Sequence, residues 1–372
     1  MKIIILPSWY SNAKAKDHRA GVFHYEQALE LSKYCEVAIY YMFDTSLTEE
    51  SSVRNEGGIV TYRSRYNSDA HIVNWKRIIR FFSQINKEFK PDIIYAHVAS
   101  EVGRYAVVLG KLFHKPIVIT EHSAIQYSGM DKGLGKILGK WIYSSSRCNI
   151  CVSEHEAREL KKIFPRCKFI TIYNGVSTPH VNRVITNYRK EGRINIGFVA
   201  LLYSKDIKGL QYVLPALKKL TDNGYKLMLH IVGDGTYLNY FRDLASRYEV
   251  TDECIFYGYC EREKVYEILN AMDFVMSSSL VETFGCTLAE AMMLGKPVLS
   301  TRSGGPDEYV VEQVGVLIEK GSCEEIERGI VKMISRKSEF DSEKIRKYAQ
   351  QKFSMSSICA KYLTVFKTAM EK

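Results

Sequence analysis

Short apolar runs alternate with longer segments of helical periodicity along most of the chain. The first half contains the strand-like runs KIIIL, EVAIYY, PDIIYAH and PIVITEH, separated by helical patterns such as FHYEQALELSKY and WKRIIRFFSQINKEF. The second half alternates in the same way, with the strand-like runs INIGFVALL, KLMLHIVGDG, CIFYGY, DFVMSS and PVLSTRS. Strands that are apolar throughout indicate parallel sheets covered by helices on both faces. We therefore expect an α/β fold of two Rossmann-like, doubly wound parallel-sheet domains facing a central cleft.

The length of 372 residues also favours two domains, because single cores stop growing at roughly 250–300 residues. The polar stretch STPHVNRVITNYRKEGR between the two halves has little apolar pattern and is typical of a linker. We expect an N-terminal domain over residues 1–176, a linker over 177–192 and a C-terminal domain over 193–350. The last segment, 351–372, is expected to be a helix that packs back on the N-terminal domain.

Composition indicates a soluble globular enzyme, with 46% apolar and 25% charged residues. No apolar run reaches the roughly 18–20 residues of a membrane span, and the opening run IIIL is too short for a signal peptide. The nine cysteines are scattered, as in a protein with reduced thiols. Cys148 and Cys151 form one C-x-x-C pair without a second pair to complete a metal site, and we interpret them as buried strand cysteines. These features predict a cytoplasmic protein.

Charge is uneven along the chain. The formal net charge is +10, and residues 1–175 carry 25 Lys and Arg against 17 Asp and Glu. A basic first half indicates an anionic partner, which is nucleic acid, a phosphorylated ligand or an acidic membrane surface. No nucleic-acid-binding motif accompanies the charge, so we expect no nucleic-acid partner.

Two glutamates, Glu282 and Glu290, have seven residues between them in the apolar segment SSLVETFGCTLAEAMMLGKPV. The segment predicts a strand, a short loop and a helix that begins near Gly285. A helix start offers unpaired N–H groups and positive partial charge to a phosphate. The carboxylates would then lie on the order of 10 Å apart, at about 1.5 Å of rise per residue. That distance suits two contacts with one extended ligand; the alternative is that Thr287 and Glu290 form a capping box.

Several loops after predicted strands carry further candidate residues. Lys205 and Lys208 are placed to reach a phosphate, or are solvated loop lysines. Gly233, in VGDG, belongs to a phosphate or ribose loop or to a tight turn. His122, in TEHS, is a substrate-binding or proton-transferring residue, or a hydrogen-bonded core histidine. The loop before Gly21 is longer than most loops between a strand and a helix, as binding loops often are.

Taken together, these segments resemble the GT-B glycosyltransferases, and specifically the large retaining family 4 (glycosyl transferases group 1). The segment ETFGCTLAEAMMLGKPVLSTRSGGPDEYV is similar to that family's Glu-x7-Glu motif with its following Gly-Lys-Pro-Val and Gly-Gly turns. The segments LPSWYSN…AGVF, TEHS, NGV, KGLQYVLPAL, VGDG and IFYGY occur in the expected order. The resemblance covers nearly the whole chain and is best over residues 195–320.

The resemblance implies a role for each candidate residue. Glu290 would bind the ribose of a sugar nucleotide, and Glu282 the hydroxyls of the transferred sugar. His122 would contact the donor sugar from the N-terminal, acceptor-side domain, and Tyr259 lies where the family holds the base. The remaining implied donor contacts are Gly21, Lys205, Gly233, Gly258, Phe284, Gly285, Cys286 and Thr287.

The chain departs from the family pattern at one cation. By the resemblance, Leu201 stands where the family has an arginine. Lys208 fits the family lysine, and Lys205 is the substitute that we predict for the arginine. These cations, with His122 and Glu282, would serve a metal-independent reaction without a cofactor, in which the nucleotide sugar is a substrate. Retention through an ion pair on one face requires positive charge at the diphosphate, and not the carboxylate pair, roughly 5 Å apart, of retaining glycosidases.

The resemblance also sets the expected partners and the rival functions. We expect a nucleotide-sugar donor, with UDP favoured and GDP-mannose second, and a glycan or lipid-linked acceptor of a bacterial surface polysaccharide. Basic amphipathic patterns in Asn74–Lys90 and Met130–Arg147 lead us to hypothesise peripheral binding to the inner face of the cell membrane, against ordinary domain helices. The alternatives are a sugar-nucleotide 2-epimerase of the same fold and a catalytically silent binder of sugar nucleotides or glycans.

Overall fold

The structure is a computed structural model, which describes residues 1–11, 21–177 and 188–371. The chain forms two compact units: the first contains Met1–Gly175 and the C-terminal segment from Met355, and the second is Val176–Ser354. Most of the loop predicted before Gly21, and most of the predicted linker 177–192, lie outside the described residues.

An eight-stranded sheet forms the centre of the first unit. Its order is β3-β4-β2-β1-β5-β6-β7-β8, and all neighbours are parallel except the hairpin of β3 and β4. The strands are β1 Lys2–Leu6, β2 Glu36–Asp44, β3 Ser51–Glu56, β4 Ile59–Arg65, β5 Ile93–His97, β6 Ile117–Glu121, β7 Cys148–Cys151 and β8 Phe169–Thr171.

Helices cover both faces of this sheet, which explains why its central strands are apolar throughout. In β1, Ile4 and Leu6 enter one core, whereas Ile3 and Ile5 enter the core on the opposite face. The helices from the N-terminal part of the unit are α1 Val22–Leu31, α2 His71–Glu88, α3 Arg104–Phe113, α4 Ile125–Ser128, α5 Gly133–Ser145 and α6 Glu154–Ile163.

The second unit contains a six-stranded sheet in which every pairing is parallel. Its order is β11-β10-β9-β12-β13-β14. The strands are β9 Ile194–Val199, β10 Leu227–Val232, β11 Cys254–Gly258, β12 Phe274–Ser277, β13 Val298–Thr301 and β14 Gly315–Ile318. The chain proceeds outward from β9 in one direction and then restarts from β12 in the other. Ligands of such sheets bind at this reversal, beyond the carboxyl ends of the strands.

The helices of the second unit connect these strands. They are α7 Leu210–Asp222, α8 Leu238–Arg247, α9 Arg262–Ala271, α10 Cys286–Met293, α11 Cys323–Ser335 and α12 Ser342–Phe353. The last helix of the chain, α13 Met355–Glu371, belongs to the first unit, where it lies against α1. Its residues Ile358, Tyr362 and Phe366 enter the same core as Ile3 and Ile5. Because α12 extends to Phe353, the chain passes from the second unit back to the first at Ser354.

Among the described residues, no helix combines the length and the apolar character that crossing a membrane requires.

Candidate active site

The loops that follow β9 and β12 meet at the reversal of strand order in the second unit. Lys208 comes from the first loop and Glu282 from the second, and the Lys208 Nζ lies 2.6 Å from the Glu282 Oε1. Both side chains are partly exposed, at 28% and 17%. The ligand-binding edge of the sheet therefore carries a cation and a carboxylate in direct contact, from residues far apart in the sequence.

Backbone contacts hold these two loops together. Ser278 Oγ donates a hydrogen bond to the Lys208 carbonyl at 2.9 Å, and the Leu280 N–H donates to the Ile207 carbonyl at 2.8 Å. Gly209, which precedes α7, has φ 73°, and a Cβ built on it would lie 1.9 Å from the Ser278 carbonyl oxygen. Only glycine allows this approach, so Gly209 positions the neighbouring Lys208.

The Glu282 carboxylate has one occupied and one available oxygen. Its Oε1 also accepts a hydrogen bond from the Ser279 hydroxyl at 2.8 Å, whereas no described residue donates to its Oε2. The backbone of Glu282 pairs with the segment after β13: its N–H donates to Ser303 and its carbonyl accepts from Gly305, both at 2.9 Å. The carboxylate is thus held in place with one oxygen directed to solvent or to a ligand.

Helix α10 begins directly after this loop. Gly285 precedes it with φ 87°, a left-handed conformation that favours glycine. The Tyr309 hydroxyl donates to the carbonyls of Phe284 at 2.6 Å and Gly285 at 3.0 Å. Phe284 itself is buried against Tyr309 and Phe353. Its side chain is therefore a packing residue, and any donor contact at Phe284 would be made by its backbone.

Cys286 and Thr287 form the first turn of α10, where Cys286 is exposed and Thr287 partly exposed. Peptide N–H groups of a first helical turn attract phosphate. The predicted helix start near Gly285 agrees with the structure. The capping-box alternative is wrong, because the residue preceding the helix is Gly285 and not Thr287.

Glu290 contacts two residues of α9 that the sequence patterns do not indicate. Its Oε1 accepts hydrogen bonds from Arg262 Nη2 at 3.2 Å and from the Tyr266 hydroxyl at 3.4 Å. Arg262 Nε donates in turn to the Tyr266 oxygen at 2.5 Å. Each glutamate of the pair therefore has its own cation, which supports two separate ligand contacts rather than a pair that shares a proton.

Other predicted donor contacts lie on the loops after β10 and β11. Gly233 approaches the neighbouring loop so closely that a Cβ would lie 1.8 Å from the Ala200 carbonyl oxygen, and its N–H donates to Gly258 at 2.9 Å. This close packing is sufficient to explain why position 233 requires glycine. Tyr259, directly after β11, is 41% exposed. The contacts of Gly233, Gly258 and Tyr259 with a donor stay predictions.

Lys205 is exposed, in the same loop as Lys208. It forms no ion pair with a described residue. Leu201, which replaces the family arginine, is 65% exposed and supplies no charge. Of the loop's two lysines, the structure brings Lys208 to the paired glutamate, whereas the role of Lys205 stays a prediction.

His122 lies in the first unit, directly after β6, within a cluster of three histidines. Its Nε2 lies 2.9 Å from the Nδ1 of His97, and the ring centroids of His97 and His24 are 4.3 Å apart. Burial lowers the pKa of His122 to about 4 and the pKa values of His24 and His97 well below their usual range. The cluster is therefore neutral at pH 7.

Gly21, with φ 75°, precedes α1. The ring of Phe23, in the first turn of α1, lies beside the His122 ring, with 5.2 Å between the two ring centroids.

Glu121 shapes the backbone beside His122. Its carboxylate is buried and accepts hydrogen bonds from the Ala99 N–H at 3.1 Å and the Tyr143 hydroxyl at 2.9 Å. Burial raises the pKa of Glu121 despite these donors. We interpret Glu121 as a structural residue that fixes the turn carrying His122.

The described cysteines, which are all nine of the chain, form no disulfide. Cys151 is buried in β7 and Cys148 is partly buried, as the strand interpretation predicts. Within the described ranges, no group of three or more His, Cys, Asp or Glu side chains is arranged to hold a metal ion.

Two family models match the chain, and together they span most of it. The model described as Glycosyl transferases group 1 matches residues 185–352, and the model described as Glycosyltransferase Family 4 matches residues 20–179. An uncharacterized glycosyltransferase of Methanocaldococcus jannaschii is 25% identical over 344 residues, which are 85% of this chain and 86% of that protein.

Solved structures share the fold at low sequence identity. Sucrose-phosphate synthase from Thermosynechococcus elongatus superposes with a TM-score of 0.84 at 16% identity, over 100% of both chains. The Anabaena protein HepE in complex with UDP and glucose superposes with a TM-score of 0.78 at 17% identity, over 99% of this chain and 100% of that one. The family matches and the shared fold show that this chain belongs to the GT-B glycosyltransferases of the family 4 type.

Proposed function

We propose that the protein is a retaining hexosyltransferase. It moves a sugar from a nucleotide-sugar donor, a UDP-sugar first and GDP-mannose second, to a glycan or lipid-linked acceptor. The acceptor belongs to bacterial surface polysaccharide synthesis, whether of capsule, exopolysaccharide or lipopolysaccharide. The observation that carries the proposal is the Lys208–Glu282 pair beside the start of α10, at the reversal of strand order.

Each part of this site suits one part of a nucleotide sugar. Lys208 and the first turn of α10 supply positive charge where the diphosphate leaves. Glu282 keeps Oε2 available for a hydroxyl of the transferred sugar. Glu290, held by Arg262 and Tyr266, is placed along the same helix to accept hydrogen bonds from a ribose.

The proposed chemistry needs neither a metal nor a protein nucleophile. The bond from the anomeric carbon to the diphosphate breaks, and the electron pair stays on the diphosphate, next to Lys208. The acceptor hydroxyl attacks from the same face and transfers its proton to the leaving phosphate. Retention follows because bond breaking and bond making occur on one face of the sugar.

UDP is favoured because a neighbour of the same fold, HepE, has been solved with UDP and glucose. The basic excess in residues 1–175 supports an acceptor that carries phosphate, as lipid-linked glycans do. Contacts of Gly21 and His122 with the donor stay predictions of the family resemblance.

The test is nucleotide release from a panel of UDP- and GDP-sugars, with and without lipid-linked glycan extracts. We expect release from one donor class, stimulated by acceptor, and a product whose anomeric proton coupling in NMR shows retained configuration. Epimerised sugar without transfer would indicate the 2-epimerase, and donor binding without turnover would indicate a silent binder. Lys219→Gln is the matched control for Lys208→Gln, since Lys219 pairs with Glu324 at 3.1 Å on the surface.

A further inference from the structure

Helix α5 and the preceding turn α4 expose a group of apolar and basic side chains on the first unit. Leu134 is 84% exposed, Ile137 67% and Tyr127 59%. The lysines beside them are also exposed. We call this group the α5 surface; its members are Tyr127, Lys132, Leu134, Lys136, Ile137 and Lys140.

The exposed apolar residues are not needed to attach α5 to its own core. Ile142 and Tyr143 are buried in that core, and Gly139 lies so close to it that a Cβ would meet the Phe164 ring at 2.7 Å. Leu134 and Ile137 are three residues apart and share the outward face of the helix. Together with Tyr127 they form a group of exposed apolar side chains, and such groups can mark a site of contact with another molecule.

The lysines of the α5 surface have no neutralising acidic side chain on their own helix. Lys132, Lys136 and Lys140 form no ion pair with a described residue, and α5 contains no acidic residue. Some exposed lysines elsewhere do pair with carboxylates, such as Lys33 with Glu30 at 2.7 Å and Lys218 with Asp222 at 2.9 Å. The α5 surface therefore presents an uncompensated positive charge next to its apolar side chains.

We propose that the α5 surface docks on an anionic lipid bilayer. Leu134 and Ile137 would enter the boundary between headgroups and acyl chains, and the three lysines would lie at the level of the lipid phosphates. The surface is the convex outside of a helix, and its apolar side chains project rather than line a groove. An anionic bilayer suits both kinds of side chain, because its acyl chains accept the apolar residues and its phosphates attract the lysines. It does so without requiring a surface of complementary shape.

This inference goes beyond the proposed transfer reaction, because none of its residues belongs to the donor site. Binding to vesicles can be measured without donor or acceptor. Failure of the docking proposal therefore leaves the proposed reaction intact, and the reverse also holds.

The experiment is co-sedimentation of the full chain with vesicles of phosphatidylcholine, alone or with 40% phosphatidylglycerol, at low and high salt. We expect binding to the anionic vesicles only, weakened by salt. Lys132→Gln, Lys136→Gln and Lys140→Gln together should reduce the partition coefficient about a hundredfold, since each lysine near an anionic surface contributes roughly fivefold. Leu134→Gln with Ile137→Gln should reduce it by a similar factor.

The matched control substitutions lie elsewhere on the surface of the first unit. Lys87, Lys361 and Lys367 are also exposed, and their replacement by Gln removes the same charge elsewhere. Leu112, 53% exposed on α3, is the apolar control as Leu112→Gln. All these side chains are exposed, so the variants should keep the wild-type melting temperature. Both control variants should bind as the wild type does.

Three results would overturn the proposal. The first is equal binding to neutral and anionic vesicles. The second is an equal loss of binding in the Lys87, Lys361 and Lys367 control, which would assign the effect to net charge alone. The third is a protein that ignores vesicles but self-associates in analytical ultracentrifugation until Leu134→Gln and Ile137→Gln are introduced, which would assign the surface to a second copy of the chain.

Discussion

The Lys208 ammonium and the Glu282 carboxylate lie 2.6 Å apart, from loops separated by 74 residues. A donor bound at this edge of the sheet would offer Lys208 a diphosphate and Glu282 a set of hydroxyls. The contact between the two side chains therefore holds both proposed donor-binding groups in place. Since charged hydrogen bonds depend strongly on geometry, we expect the two residues to act as a unit.

Lys208→Gln should lower kcat by a factor of about 10²–10³, the usual effect of removing one donor to a developing negative charge. Glu282→Gln should have a comparable effect, because the amide can no longer accept at both oxygens. The double variant should cost little more than the worse single variant, as expected for coupled residues. Steady-state kinetics with saturating acceptor provide the measurement. Fully additive losses, or an equal loss in Lys219→Gln, would contradict the coupling.

Glu290 should determine whether the protein recognises ribose hydroxyls. The wild type is expected to bind UDP at least about tenfold more tightly than 2′,3′-dideoxy-UDP, because one charged hydrogen bond contributes roughly 1.5–3 kcal/mol. Glu290→Gln should remove most of that preference while keeping the fold. Isothermal titration calorimetry with both nucleotides measures this preference as a ratio of dissociation constants. A variant that keeps the full preference would place the ribose elsewhere.

Arg262 should affect donor binding indirectly, by holding the Glu290 carboxylate in position. Arg262→Gln removes the hydrogen bond at 3.2 Å and frees the carboxylate to rotate, so we expect a higher KM for the donor with little change in kcat. Arg262→Lys should restore part of the affinity, as a positioning role requires. Arg242, on α8 in the same unit, is the control as Arg242→Gln; it lies over the Phe256 ring. A loss in kcat alone would instead place Arg262 at the reacting groups.

The alternation of strands and helices could be predicted because each element is specified by the periodicity of apolar residues within its own segment. Ile3 to Leu6 are apolar at successive positions, which only a strand covered on both faces requires. The hairpin of β3 and β4 was missed because SSVRNE, which forms β3 at the edge of the sheet, is polar. The two-residue loop Gly57–Gly58 between them was the available signal, since Gly-Gly loops favour tight hairpins.

The candidate site could be predicted where a motif lies in one segment and not where it joins distant segments. Gly285 marked the start of α10 correctly, and Lys208 was placed by its position after a strand. Arg262 was missed because nothing in the sequence links it to Glu290, 28 residues away. The histidine cluster was missed for the same reason: the packing of α1 on the sheet brings His24 to His122, and the pairing of β5 with β6 brings His97 there.

Cys286 should be the thiol that reacts fastest with N-ethylmaleimide. It is the exposed cysteine among nine that are otherwise buried or partly buried, and it stands in the first turn of α10. UDP should slow the labelling of Cys286 if the diphosphate covers that turn, as peptide mass spectrometry can show. Cys286→Ala should keep nearly full activity, because the proposed contact uses the backbone. Labelling that UDP does not affect would argue against a diphosphate at this helix start.

The histidine cluster should make the first unit sensitive to mild acid. His122 has a pKa of about 4 in the folded protein, against about 6.5 in an unfolded chain. Between these values the unfolded chain binds more protons, so the free energy of unfolding falls as the pH falls, by roughly 3 kcal/mol for His122 alone. His24 and His97 act in the same direction, whereas Glu121, whose pKa is raised, opposes them. Melting temperatures measured from pH 7.5 to pH 4.5 should therefore fall steeply below about pH 6.5.

His24 provides the sharpest variant for this pH dependence. It is fully buried, and neither of its ring nitrogens has a hydrogen-bond partner among the described residues. His24→Leu therefore loses no hydrogen bond and removes two unsatisfied polar atoms, so it should keep or raise the melting temperature at pH 7.5. It should also flatten the decline toward pH 4.5, whereas His71→Gln, on the surface, should leave the decline unchanged. A His24→Leu protein that melts with the wild-type pH dependence would show that the acid sensitivity arises outside the cluster.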